Sequence, residues 1–130
     1  MKIKTAELTG AALDWAVATA LGYTRTTIHT VEFGKRVSKP APWGFWDEVD
    51  GDTSRDGTFH PSTNWAQGGP IIEREGIELG SYADQWQAEM HLEDGSIFER
   101  GQTPLIAAMR CLIASKMGDK IEIPDDLLEN

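Results

Sequence analysis

The sequence predicts an α+β fold: a single domain over residues 1–130, an antiparallel sheet packed with two main helices, and a long irregular aromatic loop over residues 34–61. Three observations predict it. Two segments place apolar residues at helical spacing between recognisable caps. One segment alternates polar and apolar residues and runs into a hairpin turn. Most of the glycines and prolines crowd the stretch between Gly34 and Gly101. At 130 residues, 40% hydrophobic and 25% charged, the chain can bury a core without staples.

Lys2 to Leu8 reads as a short strand. Thr9 reads as the N-cap of the first helix, with Leu8 and Leu13 forming a hydrophobic staple across it. Leu13, Ala16, Val17, Ala20 and Leu21 recur at i, i+3, i+4, i+7 and i+8, one helical face, and Gly22 stops the run. Trp15 lies off that stripe and covers its edge. Tyr23 to Phe33 is rich in Thr, Ile and Val and suits a strand. From Gly34 to Pro61 the pattern dissolves. Lys39-Pro40-Ala41-Pro42-Trp43-Gly44-Phe45-Trp46 cannot be helical, because two prolines and a glycine break it. Asp47 to Gly57 is acidic and punctuated by glycine.

Ser62 caps a single turn through Trp65, with Trp65 expected as an anchor on the core. Gly68-Gly69-Pro70 then opens a second short helix, which Gly76 ends. Gln85 to Leu92 alternates: Trp86, Ala88, Met90 and Leu92 on one face, Gln85, Gln87, Glu89 and His91 on the other. Asp94-Gly95 reads as the hairpin turn that follows, putting Leu92 opposite Ile97 and Glu89 opposite Arg100. Thr103 caps the second main helix, with Pro104 at its first position. Leu105, Ile106, Met109, Leu112, Ile113 and Met117 give it a broad apolar band, so this helix should be central. Lys120 to Ile123 reads as a last strand.

Charge and cysteine usage exclude some functions. Twelve Lys and Arg against 21 Asp and Glu leave a net charge of −9. Such a chain repels a phosphate backbone, so duplex nucleic acid is not expected as a partner. Cys111 is the single cysteine, so neither an internal disulfide nor a thiolate metal site can form. No 18-residue apolar run is present, so no membrane partner is expected. His29, His60 and His91 stand 31 residues apart without ligand spacing, so no metal is expected. No nucleophile elbow or Ser/His/Asp pattern is present, and no cofactor is called for.

The suggestive region is Gly68-Gly69-Pro70-Ile71. Glycines let a backbone approach a ligand, and a helix start offers free N–H groups and a positive dipole end. A small base-bearing anion would place its charged end there and stack its base on Trp43, Trp46 or Trp65. Ser62, Thr63, Asn64 and Gln67 would supply neutral hydrogen bonds. Arg74, Arg100 and Arg110 are the cations nearest to this role; Arg74 and Arg110 are the expected counter-charges. Arg110 interrupts an apolar band and must reach a carboxylate, a carbonyl or a ligand. Cys111, on the same helix, reads as a buried small hydrophobe.

Four stretches carry a family resemblance. They are Lys4-Thr5-Ala6-Glu7-Leu8-Thr9-Gly10-Ala11-Ala12-Leu13-Asp14-Trp15-Ala16-Val17-Ala18, Ser62-Thr63-Asn64-Trp65-Ala66-Gln67-Gly68-Gly69-Pro70-Ile71-Ile72-Glu73, Thr103-Pro104-Leu105-Ile106-Ala107-Ala108-Met109-Arg110, and Gly118-Asp119 with the Ile-Glu-Ile-Pro-Asp that follows. Together they resemble the NinX-like family of small phage proteins, least clearly over Val37 to Gly57. Phe59-His60-Pro61-Ser62-Thr63 before a helix also looks like phage domains built as an α-β-α sandwich. The resemblance implies a phage or prophage accessory protein acting in the bacterial cytoplasm. It implies no activity and carries over no catalytic residue.

Three functions follow as expectations. The first is a non-enzymatic protein that binds and sequesters a small nucleotide-derived molecule, as counter-defence against the host. The second is an acidic inhibitor of a host defence protein. The third, a metal-dependent nucleotide hydrolase, has little in the sequence to favour it. Self-association into a homo-oligomer stays open.

Overall fold

The computed structural model describes residues 1–25, 27–40, 46–47 and 59–128, with backbone alone at 24, 25, 27–30, 39, 40, 46 and 47. Chain order is β1 (Lys2–Lys4), a 3-10 turn (Thr5–Glu7), α1 (Gly10–Ala20), β2 (Thr24–Arg25), β3 (Thr27–Glu32), β4 (Lys35–Pro40), β5 (Trp46–Asp47), α2 (Trp65–Glu75), β6 (Glu78–Tyr82), β7 (Gln85–Leu92), β8 (Gly95–Gly101), α3 (Pro104–Met117), β9 (Lys120–Glu122) and a closing 3-10 turn (Asp125–Leu127). The α+β class stands. Among the described residues the strands form four antiparallel sheets, β1–β9, β2–β5, β3–β4 and the three-stranded β6–β7–β8.

α3 is the hub. It packs on the β6–β8 sheet, on α1 and α2, and on the first 3-10 turn and β9. Thr103 Oγ1 accepts from the Ile106 N–H at 3.1 Å, and Pro104 occupies the first turn, where its missing donor costs nothing. Leu105, Ala107, Ala108, Met109, Cys111, Leu112 and Ile113 are all buried. The small alanines let the sheet and α1 approach from two sides. Leu8 and Leu13, the expected staple, are both in the core, although Thr9 makes no side-chain cap bond.

Four expectations are corrected. First, the irregular loop over 34–61 is partly regular: Lys35–Pro40 pairs with Thr27–Glu32, and Trp46–Asp47 pairs with Thr24–Arg25. The turn between β3 and β4 is Phe33-Gly34, with φ of 54° and 78°. Two positive values define the turn whose twist matches a hairpin. Second, the short helix expected to open at Gly68-Gly69-Pro70 starts earlier and is one continuous element with the turn before it. α2 runs unbroken from Trp65 to Glu75, through both glycines and Pro70, and Asn64, not Ser62, caps it by accepting from the Ala66 N–H at 2.8 Å. Third, Glu78–Tyr82 is a strand that no hydrophobic alternation announced; only Leu79 in it is even half-buried. Fourth, the β7–β8 turn is Glu93-Asp94, so Met90 faces Ile97 and Gln87 faces Arg100. The slip is two residues, which preserves every side chain's face and changes its partner.

Candidate functional site

The β6–β8 sheet sorts its residues by pleat. Ala88 and Met90 on β7 are buried on the α3 side. Their neighbours Gln85, Gln87, Glu89 and His91 project from the other face. On β8 the same alternation turns Ile97 inward and Phe98 and Arg100 outward, since Phe98 pairs with Glu89 and Arg100 with Gln87. A cleft of about 650 Å³ opens where this outward face meets the edge of β8, the start of the chain and α3. Gln85, Gln87, Phe98, Glu99, Arg100, Arg110 and Ala6 line it.

The two guanidiniums of the cleft are held differently. Arg100 lies 3.8 Å over the Tyr82 ring centroid and donates from Nε to Gln87 Oε1 at 3.4 Å. Stacking on a ring and bonding at one edge leaves its other N–H groups directed outward. Arg110 reaches across from α3. Its Nε donates to the Leu8 carbonyl at 2.9 Å and its Nη1 to the Arg100 carbonyl at 2.8 Å. It therefore meets carbonyls, one of the partners expected of it, and ties the end of β8 to the entry of α1. Burial draws its pKa down, while the nearby Glu99 charge opposes that shift. Burial pushes the Glu99 carboxyl up, and Arg110 acts against it. Phe98 is half exposed.

The residues singled out from the sequence do not form one site. Arg110 lines the large cleft. Gln67 and Arg74 line a smaller one, of about 210 Å³, with Tyr23, Phe59, Ala66, Pro70 and Ile71. There the Tyr23 and Phe59 rings meet edge to face at 5.0 Å. Gln67 Oε1 accepts from the His60 backbone N–H at 2.6 Å, and Arg74 Nε donates to Glu75 Oε2 at 3.3 Å. Both side chains are thus engaged within the protein. Asn64 is spent as a helix cap, and Thr63 Oγ1 donates to the His60 carbonyl at 3.4 Å.

Ser62 is buried. Its backbone N–H donates to Asp14 Oδ1 at 2.9 Å. Burial raises the Asp14 carboxyl to about 6, against the pull of the Ser62 N–H and the His60 charge. Trp65 opens α2 and is 55% exposed, so it is no core anchor. Trp43 lies outside the described residues, as does the side chain of Trp46.

Gly68-Gly69-Pro70-Ile71 is not a helix start. These residues sit inside α2, where the Gly68 N–H donates to the Asn64 carbonyl at 2.8 Å. No free donors or dipole end point there. Gly68 is small because α2 passes close to Pro61 and Leu105. Cys111 meets its expectation: it is fully buried, and burial with the Glu99 charge pushes its thiol up to about 12.

The cleft brings two cations, two carboxamides and an aromatic ring together in an acidic protein. Among the described residues, its lining includes one carboxyl group, Glu99, and no serine, cysteine or histidine. That inventory suits recognition of an anion carrying a planar polar group better than covalent chemistry. Gln85, Gln87 and Phe98 were not singled out as site residues. The alternation of β7 puts both glutamines on its polar face, and that was the available signal.

No helix among the described residues is long and apolar enough to cross a membrane. No curated protein matches the chain. The family model described as bacteriophage P22 NinX matches residues 4–116, a span that contains both clefts, the whole β6–β8 sheet and nearly all of α3, and the chain belongs to that family of phage proteins.

Proposed function

We propose that this protein binds a small, base-bearing anion of the nucleotide class in the β7–β8 cleft, without turning it over. One observation carries the reading: Arg100, Arg110, Gln85, Gln87 and Phe98 converge on one cleft of about 650 Å³. That volume is in the range of pockets that enclose small ligands. A guanidinium presents a fork of donors matched to phosphate oxygens. Carboxamides both donate and accept, as the edge of a base requires. An exposed ring offers a stacking face, worth roughly 1–3 kcal/mol per base. The net charge of −9 does not forbid an anion here. Screening over about 8 Å at physiological salt leaves the two local guanidiniums to dominate. A phage protein of this kind, acting in the bacterial cytoplasm, would withdraw a nucleotide-derived signal from host defence by holding it.

The test is a thermal-shift screen against mono-, di- and cyclic nucleotides and NAD derivatives, followed by calorimetry. A hit should bind saturably and be recovered intact after incubation. Arg100→Ala and Phe98→Ala should each weaken it tenfold to a hundredfold while melting as the parent does. Unaltered binding by both variants would move the site elsewhere. If no compound binds, and a host protein is retained by the immobilised chain instead, the acidic-inhibitor reading replaces this one.

A further inference from the structure

The outward face of the β6–β8 sheet carries a second group of side chains, one row beyond Gln87 and Arg100. Glu78 and Glu89 are direct cross-strand partners on β6 and β7. Like charges placed opposite each other weaken a ladder, so this pair calls for a cation between them. His91 stands two residues after Glu89 on the same face. Its Nε2 is 3.0 Å from Glu78 Oε2, and its Nδ1 is 3.2 Å from Ser96 Oγ. One ligating atom from each of Glu78, Glu89 and His91 falls within 4.8 Å of the other two.

We propose that Glu78, Glu89 and His91 form a binding site for a divalent transition-metal cation of the zinc class. Ligand atoms about 2.1 Å from a zinc ion stand roughly 3.4 Å apart at tetrahedral angles. All three side chains are partly exposed and have room to rotate toward that spacing. An imidazole beside two carboxylates favours zinc or manganese over magnesium, which prefers oxygen and keeps its water. The second ring nitrogen is also provided for. With Nε2 on the metal, Nδ1–H donates to Ser96 Oγ, the kind of outer partner that fixes the tautomer and aims the ring.

Three protein ligands leave coordination positions open toward solvent. Successive rows on one face of a strand lie about 7 Å apart. A cation here therefore stands beside the Gln87 and Arg100 row and within reach of an anion held there. That last step rests on the ligand reading above; the metal site itself does not.

The experiment uses the full chain, stripped with chelator, and no nucleotide. Zinc chloride is titrated by calorimetry, and melting is followed with zinc, manganese and magnesium in turn. One zinc ion should bind per chain and raise the melting temperature, and magnesium at the same concentration should not. Glu78→Gln and His91→Ala should each weaken binding at least tenfold, and Ser96→Ala about tenfold. His60→Ala and Cys111→Ala should bind as the parent does. All five positions can be checked for folding by circular dichroism. Absence of binding by the folded parent, or equal binding by His91→Ala, would overturn the proposal. Zinc binding without any nucleotide hit would leave the metal site standing and remove the ligand reading alone.

Discussion

A methyl group placed on Gly68 would stand 2.6 Å from the carbonyl oxygen of Pro61. Backbone cannot yield as a side chain can, so α2 would have to shift off the Pro61 turn. The same methyl would meet Leu105 Cδ2 at 2.6 Å. At Gly69 the nearest atom is Trp65 Cε3 at 3.8 Å, an ordinary contact. Neighbouring glycines on one helix should thus respond with opposite signs. Gly68→Ala should destabilise, by about 1–3 kcal/mol from overpacking. Gly69→Ala should stabilise, by up to about 1 kcal/mol from helix propensity. Urea unfolding of the two variants checks this. Equal effects would mean that α2 does not pack on Pro61 as described.

Asp14 should give the protein an unusual pH dependence. Its folded value of about 6 lies above the ordinary 3.8, so the folded state holds the proton more tightly than the unfolded chain. Its contribution is fully present below about pH 4 and is lost as pH rises toward 6. At roughly 1.4 kcal/mol per unit, the loss is about 3 kcal/mol across that window. Asp14→Asn keeps an acceptor for the Ser62 N–H and removes the charge. Stability measured in urea from pH 4 to 7 should fall in the parent relative to the variant. Parallel curves would show that the carboxyl is not desolvated.

Arg110 should matter to folding before it matters to any ligand. It satisfies the carbonyls of Leu8 and Arg100, and removing it leaves both without their donor. Hydrogen bonds from a charged group contribute about 1.5–3 kcal/mol each when buried. The guanidinium is half in solvent, so Arg110→Ala should cost about 2 kcal/mol in all. Arg110→Lys keeps the charge but not the fork, and should recover less than half of the loss. Full recovery by lysine would assign the effect to charge alone.

Cys111 should resist modification in the native protein. Its thiol is fully buried, is pushed up to about 12, and donates to the Ile97 carbonyl at 3.4 Å. Labelling by a bulky thiol reagent should be slow until denaturant is added. Cys111→Ser should cost about 1–3 kcal/mol, toward the lower end because Ile97 offers an acceptor. Fast native labelling would contradict the packing of α3 on β8.

Local chemistry made some elements legible and hid others. Thr103 and Pro104 announced α3, and its apolar band on several sides foretold a central helix. The alternation from Gln85 to Leu92 announced β7 and its two faces. α2 was half legible: its end at Gly76 could be read, but its start at Trp65 could not, because Gly68, Gly69 and Pro70 are each poor inside a helix. The helix persists because Gly68 and Ile71 bury one face against Pro61 and α3, and that tertiary contact overrides propensity. β6 was hidden because an edge strand with Gly80 at its centre and one half-buried residue has no period to read. The β8 turn shifted because Gly95, at φ 146°, begins the strand and leaves the turn to Glu93-Asp94.

The candidate site was less legible than the fold. Arg110 interrupting an apolar helix was a usable signal, and the structure shows what it reaches. The partners that complete the cleft come from β7 and β8 and depend on their register. The Glu78, Glu89 and His91 group depends on a strand pairing across the Ala83-Asp84 turn. Scanning for histidines at fixed spacing along the chain cannot find ligands that a sheet brings together sideways.

The central position of α3 has a consequence in time as well as in space. A helix whose middle turns are buried by a sheet, two helices and β9 has little solvent side from which to fray. The amide protons of Ala107–Ile113 can trade with deuterium only when the whole molecule opens. The β3–β4 hairpin stands at the other extreme. Its described tip residues Val31 and Phe33 are 70% and 103% exposed. Its protons exchange through local opening, orders of magnitude sooner. Exchange would therefore run on two clocks: minutes or less for the arm, and the lifetime of the native state for the helix.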